Sequence, residues 1–542
     1  MTAGFSFPFA VVAATGPPPV GLVLTVAIDS GVTAQFTEAG GVPLPPYVDP
    51  QGRFTMTNTM ATNPAIPNMT VYFRRNTDGS CEHSICELGN PLVTAQPANL
   101  GAYTATISKG GATLQTISVP QHFWFSRWRW PQSPYPVTVS VASLIAAGWL
   151  PNYSSAVLGK YSKDYPSQTY TPMTLAGLTG NMGQTGERGD IGLVTEWQAD
   201  YICNGTNEAT VFAQAEAAGT FPWNIRDPRT GAPFDAQANP QATMAFVNKS
   251  LPATILTTAC KIGAVPVICD EAHEPELAYL PFLLTGDPYH LETMQFQASS
   301  NCLNAPAAAR YTDGLGVRAV AWGLRTAARL ASVTPASVPS WLLPASVWQT
   351  DLAHRVTWLM SAGPNGTNAW NTLFQVLNQV ATSNRPPQWD FWQGDFIAAA
   401  CFDALRIGQT SVKPFLDWYM PQIIARTNGT SGWLREHPSP YNVFMASSSL
   451  APLATNWTGL WSANMAYQPT VVPLLPNDPT GNLYLNLSTS GWITYDSYVR
   501  GVLSMAVASG DYPAAAAPFA WIQGEFVRQL SPTLQPDRKW LM

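Results

Sequence analysis

Charge is what this chain has least of: 11% of its 542 residues are Asp, Glu, Lys or Arg, and basic residues nowhere form a run. With a net charge of −6, it lacks the basic footprint that a phosphate backbone demands, which excludes nucleic acid as the main partner. Uninterrupted apolar runs are missing as well. A membrane span needs roughly 20 such residues, and the nearest approach, 11–28, is broken by Gly16 and three prolines, so no membrane span is expected. The first basic residue is Arg53, and the charged start of a secretory signal is therefore not recognisable; either a signal has been removed or there never was one. The composition still has an exported character, poor in charge and rich in Asn, Thr, Ser, Gly and Pro, and the expected location is extracellular, periplasmic or virion-associated. Cysteine is scarce, seven residues without a C-x-x-C pair, which argues against structural zinc. Cys81 and Cys86 bracket the loop CEHSIC and can close a small disulfide if the compartment is oxidising. Neither G-x-S-x-G, G-x-G-x-x-G nor a Walker A sequence occurs, which leaves nucleophile elbows and nucleotide cofactors without support; no cofactor is expected.

What the chain has in quantity is aromatic rings: 20 Trp, 19 Tyr and 22 Phe. Flat apolar faces stack on sugars and suit a ring-lined groove, although most Trp side chains are good core filler. A length of 542 residues exceeds what one core usually supports and predicts two domains. Residues 1–135 read as strands with partial alternation between Gly, Pro and Asn turns, the signature of an N-terminal β-sandwich. From 136 to 542 the periods turn helical, about twelve helices including 241–262, 315–332, 393–408, 441–454 and 493–508. Long loops rich in Gly, Pro and Trp separate them, at 220–240, 384–392 and 455–491.

Helical hairpins without sequence repetition, aromatic loops and acid-bearing turns together resemble the (α/α) toroid of several glycoside hydrolase and polysaccharide lyase families, some of which also carry a β-sandwich. The resemblance is architectural and covers residues 137–542; it transfers no catalytic residue. It implies a mainly α protein, an (α/α) toroid or barrel of helical hairpins carrying an N-terminal β-sandwich.

The scarce acids are grouped. Asp270, Glu271, Glu274 and Glu276 surround His273 within VICDEAHEPELAYL, and like charges set together raise pKa values, a condition for acid–base chemistry. The plain alternative is a solvated loop and helix start. A metal held by His273 and these carboxylates lacks the H-E-x-x-H spacing, and no metal site is expected. Glu196 and Asp200 share a helix face beside Trp197. The loop GTFPWNIRDPRTGAPFD brings Trp223, Arg226 and Asp227 together, or simply pairs Arg226 with Asp227. In NRPPQWDFWQGDF, Trp389 and Trp392 bracket Asp390, which could equally cap a helix. Tyr279 follows the acid cluster, and TYDSYVR offers the phenol of Tyr495.

These patterns point to a glycoside hydrolase that degrades an extracellular polysaccharide with two carboxylates drawn from Glu196, Asp227, Asp270, Glu271 and Asp390. In this reading Trp197, Trp223, Tyr279, Trp389 and Trp392 hold sugar rings. The close alternative is a polysaccharide lyase, with His273 or Tyr495 as base and Arg226 neutralising a uronate. A third is a non-catalytic glycan-binding or virion tail protein. Poly- or oligosaccharide is the expected partner, and a homo-oligomer is compatible with every version.

Overall fold

The computed structural model describes residues 21–89, 99–153, 167–180, 188–227, 229–246, 254–257, 260–262, 265–267, 270–305, 310–312, 316–365, 388–389, 391–435, 437–439, 443–448, 450–467, 496–529, 540 and 542. Nine strands form two antiparallel sheets: β1 (Leu22–Ile28), β2 (Thr33–Thr37), β7 (Tyr103–Lys109) and β8 (Ala112–Val119) in the order β2-β1-β7-β8, and β3 (Val42–Val48), β4 (Thr55–Thr62), β5 (Met69–Asn76), β6 (Glu82–Leu88) and β9 (Ser126–Trp130) in the order β3-β4-β5-β6-β9. Alternation explains the first sheet, since Leu22, Leu24 and Val26 of β1 face inward with Tyr103, Ala105 and Ile107 of β7. Gly110 and Gly111, both at positive φ, supply the two-residue turn that joins β7 to β8 with the twist a hairpin needs.

The second sheet is two-sided. β5 and β6 are buried on almost every residue, because one face packs inside the sandwich and the other on helices. The sequence SRWRW of β9 serves both faces: Trp128 points into the sandwich, its Nε1 donating to Tyr103 Oη at 2.7 Å, while Arg127 and Arg129 point outward yet are 0% exposed.

The helices are α1 (Val141–Ala146), α2 (Glu196–Asn204), α3 (Glu208–Ala217), α4 (Tyr279–Thr285), α5 (Pro288–Leu303), α6 (Val317–Val333), α7 (Ala345–Ala362), α8 (Phe391–Arg406), α9 (Lys413–Thr427), α10 (Trp457–Tyr467), α11 (Asp496–Ser509) and α12 (Ala516–Gln529). Between them lie short strands β10 (Thr243–Phe246), β11 (Thr254–Thr257), β12 (Cys260–Ile262), β13 (Val265–Val267), β14 (Gln388–Trp389) and β15 (Val443–Phe444).

The mainly α (α/α) toroid expected from the sequence is corrected by this architecture. The described residues are 42% helical and 18% strand, an α+β arrangement. α4 and α5 are buried on every residue and α8 on nearly every one, whereas a ring of paired helices keeps an outer face for each hairpin. α6 packs against α5, α7 and α8, α8 against α11, and α11 against α12; among the described residues no close packing joins α11 and α12 back to α2 and α3. Two expected helices are also absent from their places. The described residues within 241–262 hold β10, β11 and β12, and those within 441–454 hold β15 and irregular chain. A helix expected at 367–383 lies outside the described residues.

Sandwich and helices share one continuous apolar core that runs from Leu22 to Trp540. They are also tied by charge. Glu292 of α5 accepts from Arg74 at 3.0 Å and Arg226 at 2.8 Å and pairs with Arg127, and Arg129 joins Glu216 of α3 at 2.6 Å and also pairs with Asp287, which caps α5. Cys81 and Cys86 are buried free thiols with no disulfide between them, and the segment expected as a loop between them is strand β6; burial pushes both thiols up to about 12. Among the described residues no helix is long and apolar enough to cross a membrane.

Candidate functional site

Three helices set the frame. Arg318 N at the start of α6 donates to Gln393 Oε1 in the first turn of α8 at 3.1 Å, and Tyr498 in the first turn of α11 meets Phe396 of α8 at 4.8 Å. Near the far end Arg329 of α6 binds Asp403 of α8. α6 and α8 therefore run parallel, and the N-terminal ends of all three helices share one rim.

The segment 270–276 lies along α6 and forms a ladder of buried carboxylates and arginines. Its first rung is Glu271, bound by Arg355 of α7 at 2.5 Å; Arg355 also donates to Asp351 at 3.0 Å. Both side chains crowd against α6 at Gly323, where an added Cβ would collide with them. A glycine inside a helix costs about 1 kcal/mol, and here it makes room for the ion pair. On the second rung, Glu274 accepts from Thr326 Oγ1 at 2.7 Å and from Arg325 at 3.1 Å, with Asn301 on its other oxygen. The third is Glu276, which lies 3.2 Å from Arg329.

At the open end of this ladder Asp270 Oδ1 sits 2.8 Å from His273 Nδ1. Its side chain is 30% exposed and that of His273 is 9% exposed, which makes Asp270 the accessible carboxylate of the segment. Behind it the balance of charge changes. Burial pushes Glu271 up to about 8 against the pull of Arg355, and burial pushes Glu274 up to about 7 against Arg325 and its hydrogen bonds.

The other expected site residues are placed as follows. Glu196 is buried at the first position of α2, whose start is closed by a capping box from Thr195 and Gln198, and the loop before it reaches the ladder through Gly192 O, which accepts from Arg325. Asp227 closes a turn on the exposed Arg229, whose pairing and hydrogen bonds hold Asp227 below the usual carboxylate range. Arg226 is not at this rim, because it is committed to Glu87 and Glu292 in the interface between sheet and helices. Trp223 stacks near Phe221 inside the core with centroids 4.9 Å apart. Tyr279 is fully buried, its hydroxyl donating to Trp149 O at 3.1 Å and its ring beneath Arg329. Trp197 and Trp392 are buried as well. Asp390 and Tyr495 lie outside the described residues, as does the side chain of Trp389.

Near this rim lie buried charged residues to which the sequence reading gave no role: Arg355, Asp395, Arg426 and Asp496, the last noted there only as a neighbour of Tyr495. The last stands on the apolar face of α11, in step with Val499 and Leu503, and a lone carboxyl in such a pattern is a signal that can be read from sequence. At the opposite ends of α8 and α11 a cavity of about 480 Å³ opens between Leu150, Phe402, Met505 and Met542; the charged Asp403 and Arg406 on its wall are paired to each other, and it holds none of the rim's acids. No protein-family model, curated protein or solved structure matches this chain.

Proposed function

We propose that the protein is a hydrolase that cleaves glycosidic bonds in a polysaccharide, with the Asp270–His273 pair activating water. The observation that carries this reading is one partly exposed carboxylate, bonded to a histidine at 2.8 Å, at the end of a buried array in which burial raises Glu271 and Glu274. A base must be reachable and oriented, and a neighbouring imidazole does both. Glu271 and Arg355 form the fixed floor behind it. Glycosidic cleavage suits a chain that has paired carboxyls and no nucleophile motif. The buried aromatics support a stiff wall around the rim in place of an open row of stacking platforms.

Elimination by a lyase is the second reading, favoured by the same His273–Asp270 bond, since imidazole can abstract a proton beside a uronate carboxylate. It needs a free cation for that carboxylate. Arg226, the cation proposed for it from sequence, is tied to Glu87 and Glu292, which favours hydrolysis. A panel of bacterial and plant polysaccharides separates the two, with products read by mass for added water and by ultraviolet absorbance for an unsaturated sugar. Hydrated products that vanish in Asp270→Asn support the proposal; absence of any product from the wild type rejects it.

A further inference from the structure

Hydrolysis of a glycoside needs, besides a base, a carboxyl that arrives protonated. Glu271 has Arg355 at 2.5 Å, and a guanidinium that close opposes any proton it holds. Asp496 has no such neighbour. It opens α11, is 5% exposed, and makes no ion pair among the described residues. The backbone N–H of Ser439 binds it, while Ser439 Oγ donates to Asp395 Oδ2 at 2.7 Å and Arg426 of α9 holds the other oxygen of Asp395. One serine thus links two buried carboxyls, and one guanidinium serves both. A single cation balances a single anion, so the second carboxyl stays neutral.

The groups that face Asp496 are Asp395 from α8, Arg426 from α9 and Ser439 from the turn before β15. Burial, and then Asp395, raise it well above the usual aspartate value, with Ser439 and Arg426 pulling the other way. Among the described residues two fully buried donors lack a hydrogen-bond partner: Nε of Arg426, on the guanidinium that grips Asp395, and Oγ of Ser497, the residue that follows Asp496 in α11. An orphaned buried donor on the guanidinium that holds the pair marks the place of a water or of a ligand hydroxyl. Aromatic residues adjoin both carboxyls along the chain: Tyr498 of α11 meets Phe396, which follows Asp395 in α8, at 4.8 Å, and Trp392 at 6.5 Å.

We propose that Asp496 is the proton donor of the hydrolase, positioned by Asp395, Ser439 and Arg426, and that it serves a neutral sugar chain. The glycosidic C–O bond breaks as its oxygen takes the Asp496 proton. Hydroxide from the water held by Asp270 and His273 joins the anomeric carbon, and that pair keeps the second water proton, which returns through solvent to Asp496. A uronate ring is disfavoured here because it would add a third carboxylate beside the aspartate pair. This inference rests on the hydrolytic function proposed above.

The test is Asp496→Asn on a polysaccharide that the wild type cleaves and on the matching glycosyl fluoride, whose leaving group needs no proton. The expected result is a loss of about 10²–10⁴-fold in kcat/KM on the polysaccharide, with fluoride hydrolysis kept within about tenfold of wild type. Equal loss on both substrates overturns the proposal. A second readout does not depend on turnover. A carboxyl raised in the folded state gives stability below its unfolded value of about 3.9 and loses it as pH climbs towards the folded value, so the melting temperature of Asp496→Asn must gain on wild type as pH rises above about 4. A flat difference overturns the buried proton while leaving the hydrolase intact; no turnover by the wild type on any glycan overturns both. Should Asp496→Asn fail to fold, Ser439→Ala must shift the alkaline limb of the pH–rate profile and spare the fluoride, and an unshifted limb overturns the proposal.

Discussion

Two buried groups of charges in this molecule use the same residue types and reach opposite electrostatic ends. In the interface between sheet and helices, Glu292 is surrounded by Arg74, Arg127 and Arg226 at 0–9% side-chain exposure; burial opposes its ionisation, but the three cations prevail and hold it well below the usual carboxylate range. On the helical rim, Glu271, Glu274 and Asp496 are equally buried and have fewer cations each, and all three rise. The count of guanidinium groups per carboxyl decides the outcome, because burial cost is similar in both places. A carboxylate locked as an anion can only hold the fold together. One poised near neutrality can exchange a proton.

The largest effect that would sharpen this contrast is expected at Glu292. Replacing it with alanine strands the buried Arg74 and Arg127 and leaves Arg226 with Glu87 alone, and breaking a buried ion pair from one side costs about 3–5 kcal/mol; urea unfolding of Glu292→Ala should show a loss of that order. If the variant unfolds within about 1 kcal/mol of wild type, a typical effect of a single substitution, the interface is not the anchor described here. Asp270→Ala should behave oppositely. With a side chain 30% exposed, it should cost under about 1 kcal/mol in stability while turnover of the glycan falls by about 10²–10⁴-fold.

The pH response separates the two groups next. Glu292, with a lowered folded value, contributes stability that is complete above its unfolded value of about 4.3 and is lost as pH falls below that point. Asp287, held at about 2 by Arg129 and neighbouring histidines against burial, acts in the same sense. Glu274 and Glu271, raised to about 7 and about 8, act in reverse: their contribution is complete below about pH 4.3 and is lost as pH rises to 7 and 8. Thermal melting should therefore peak at mildly acidic pH. Glu271→Gln should gain on wild type between about pH 4 and pH 8, and a gap that stays constant across that range would show that Arg355 keeps Glu271 ionised throughout.

Much of the sandwich was legible in the sequence because one face of each strand meets a core and the other meets water, as in β1 and β7. The two-sided strands β5 and β9 were legible as strands, whereas β6 read as the loop CEHSIC, its polar residues hiding a strand buried on both faces; the second faces were not legible, since nothing in SRWRW says which acids its arginines will meet. Residues 241–262 read as helical because short apolar strands and buried helices have similar composition. At the rim, the acid cluster was visible as a cluster, whereas its arginine partners come from α6 and α7, 51 and 84 positions away in the case of Arg325 and Arg355, a pairing that no local pattern encodes. The aromatic residues taken for sugar platforms carried no information on exposure, since Trp and Tyr serve cores and surfaces with the same sequence signature.

Tyr279 gives the smallest and most pointed test of that last distinction. From sequence it was a sugar-binding ring beside the acid cluster; in the fold its ring lies fully buried under Arg329 and its hydroxyl reaches Trp149 O. Tyr279→Phe keeps the ring and the cation–π contact and removes one hydrogen bond, leaving a carbonyl that can relax towards water or neighbouring donors. A loss of about 1 kcal/mol in stability is expected, with KM and kcat on any glycan unchanged. A rise in KM without loss of stability would instead place this ring against substrate, and would mean that the floor of the rim opens deeper than the packing around α4 and α6 allows.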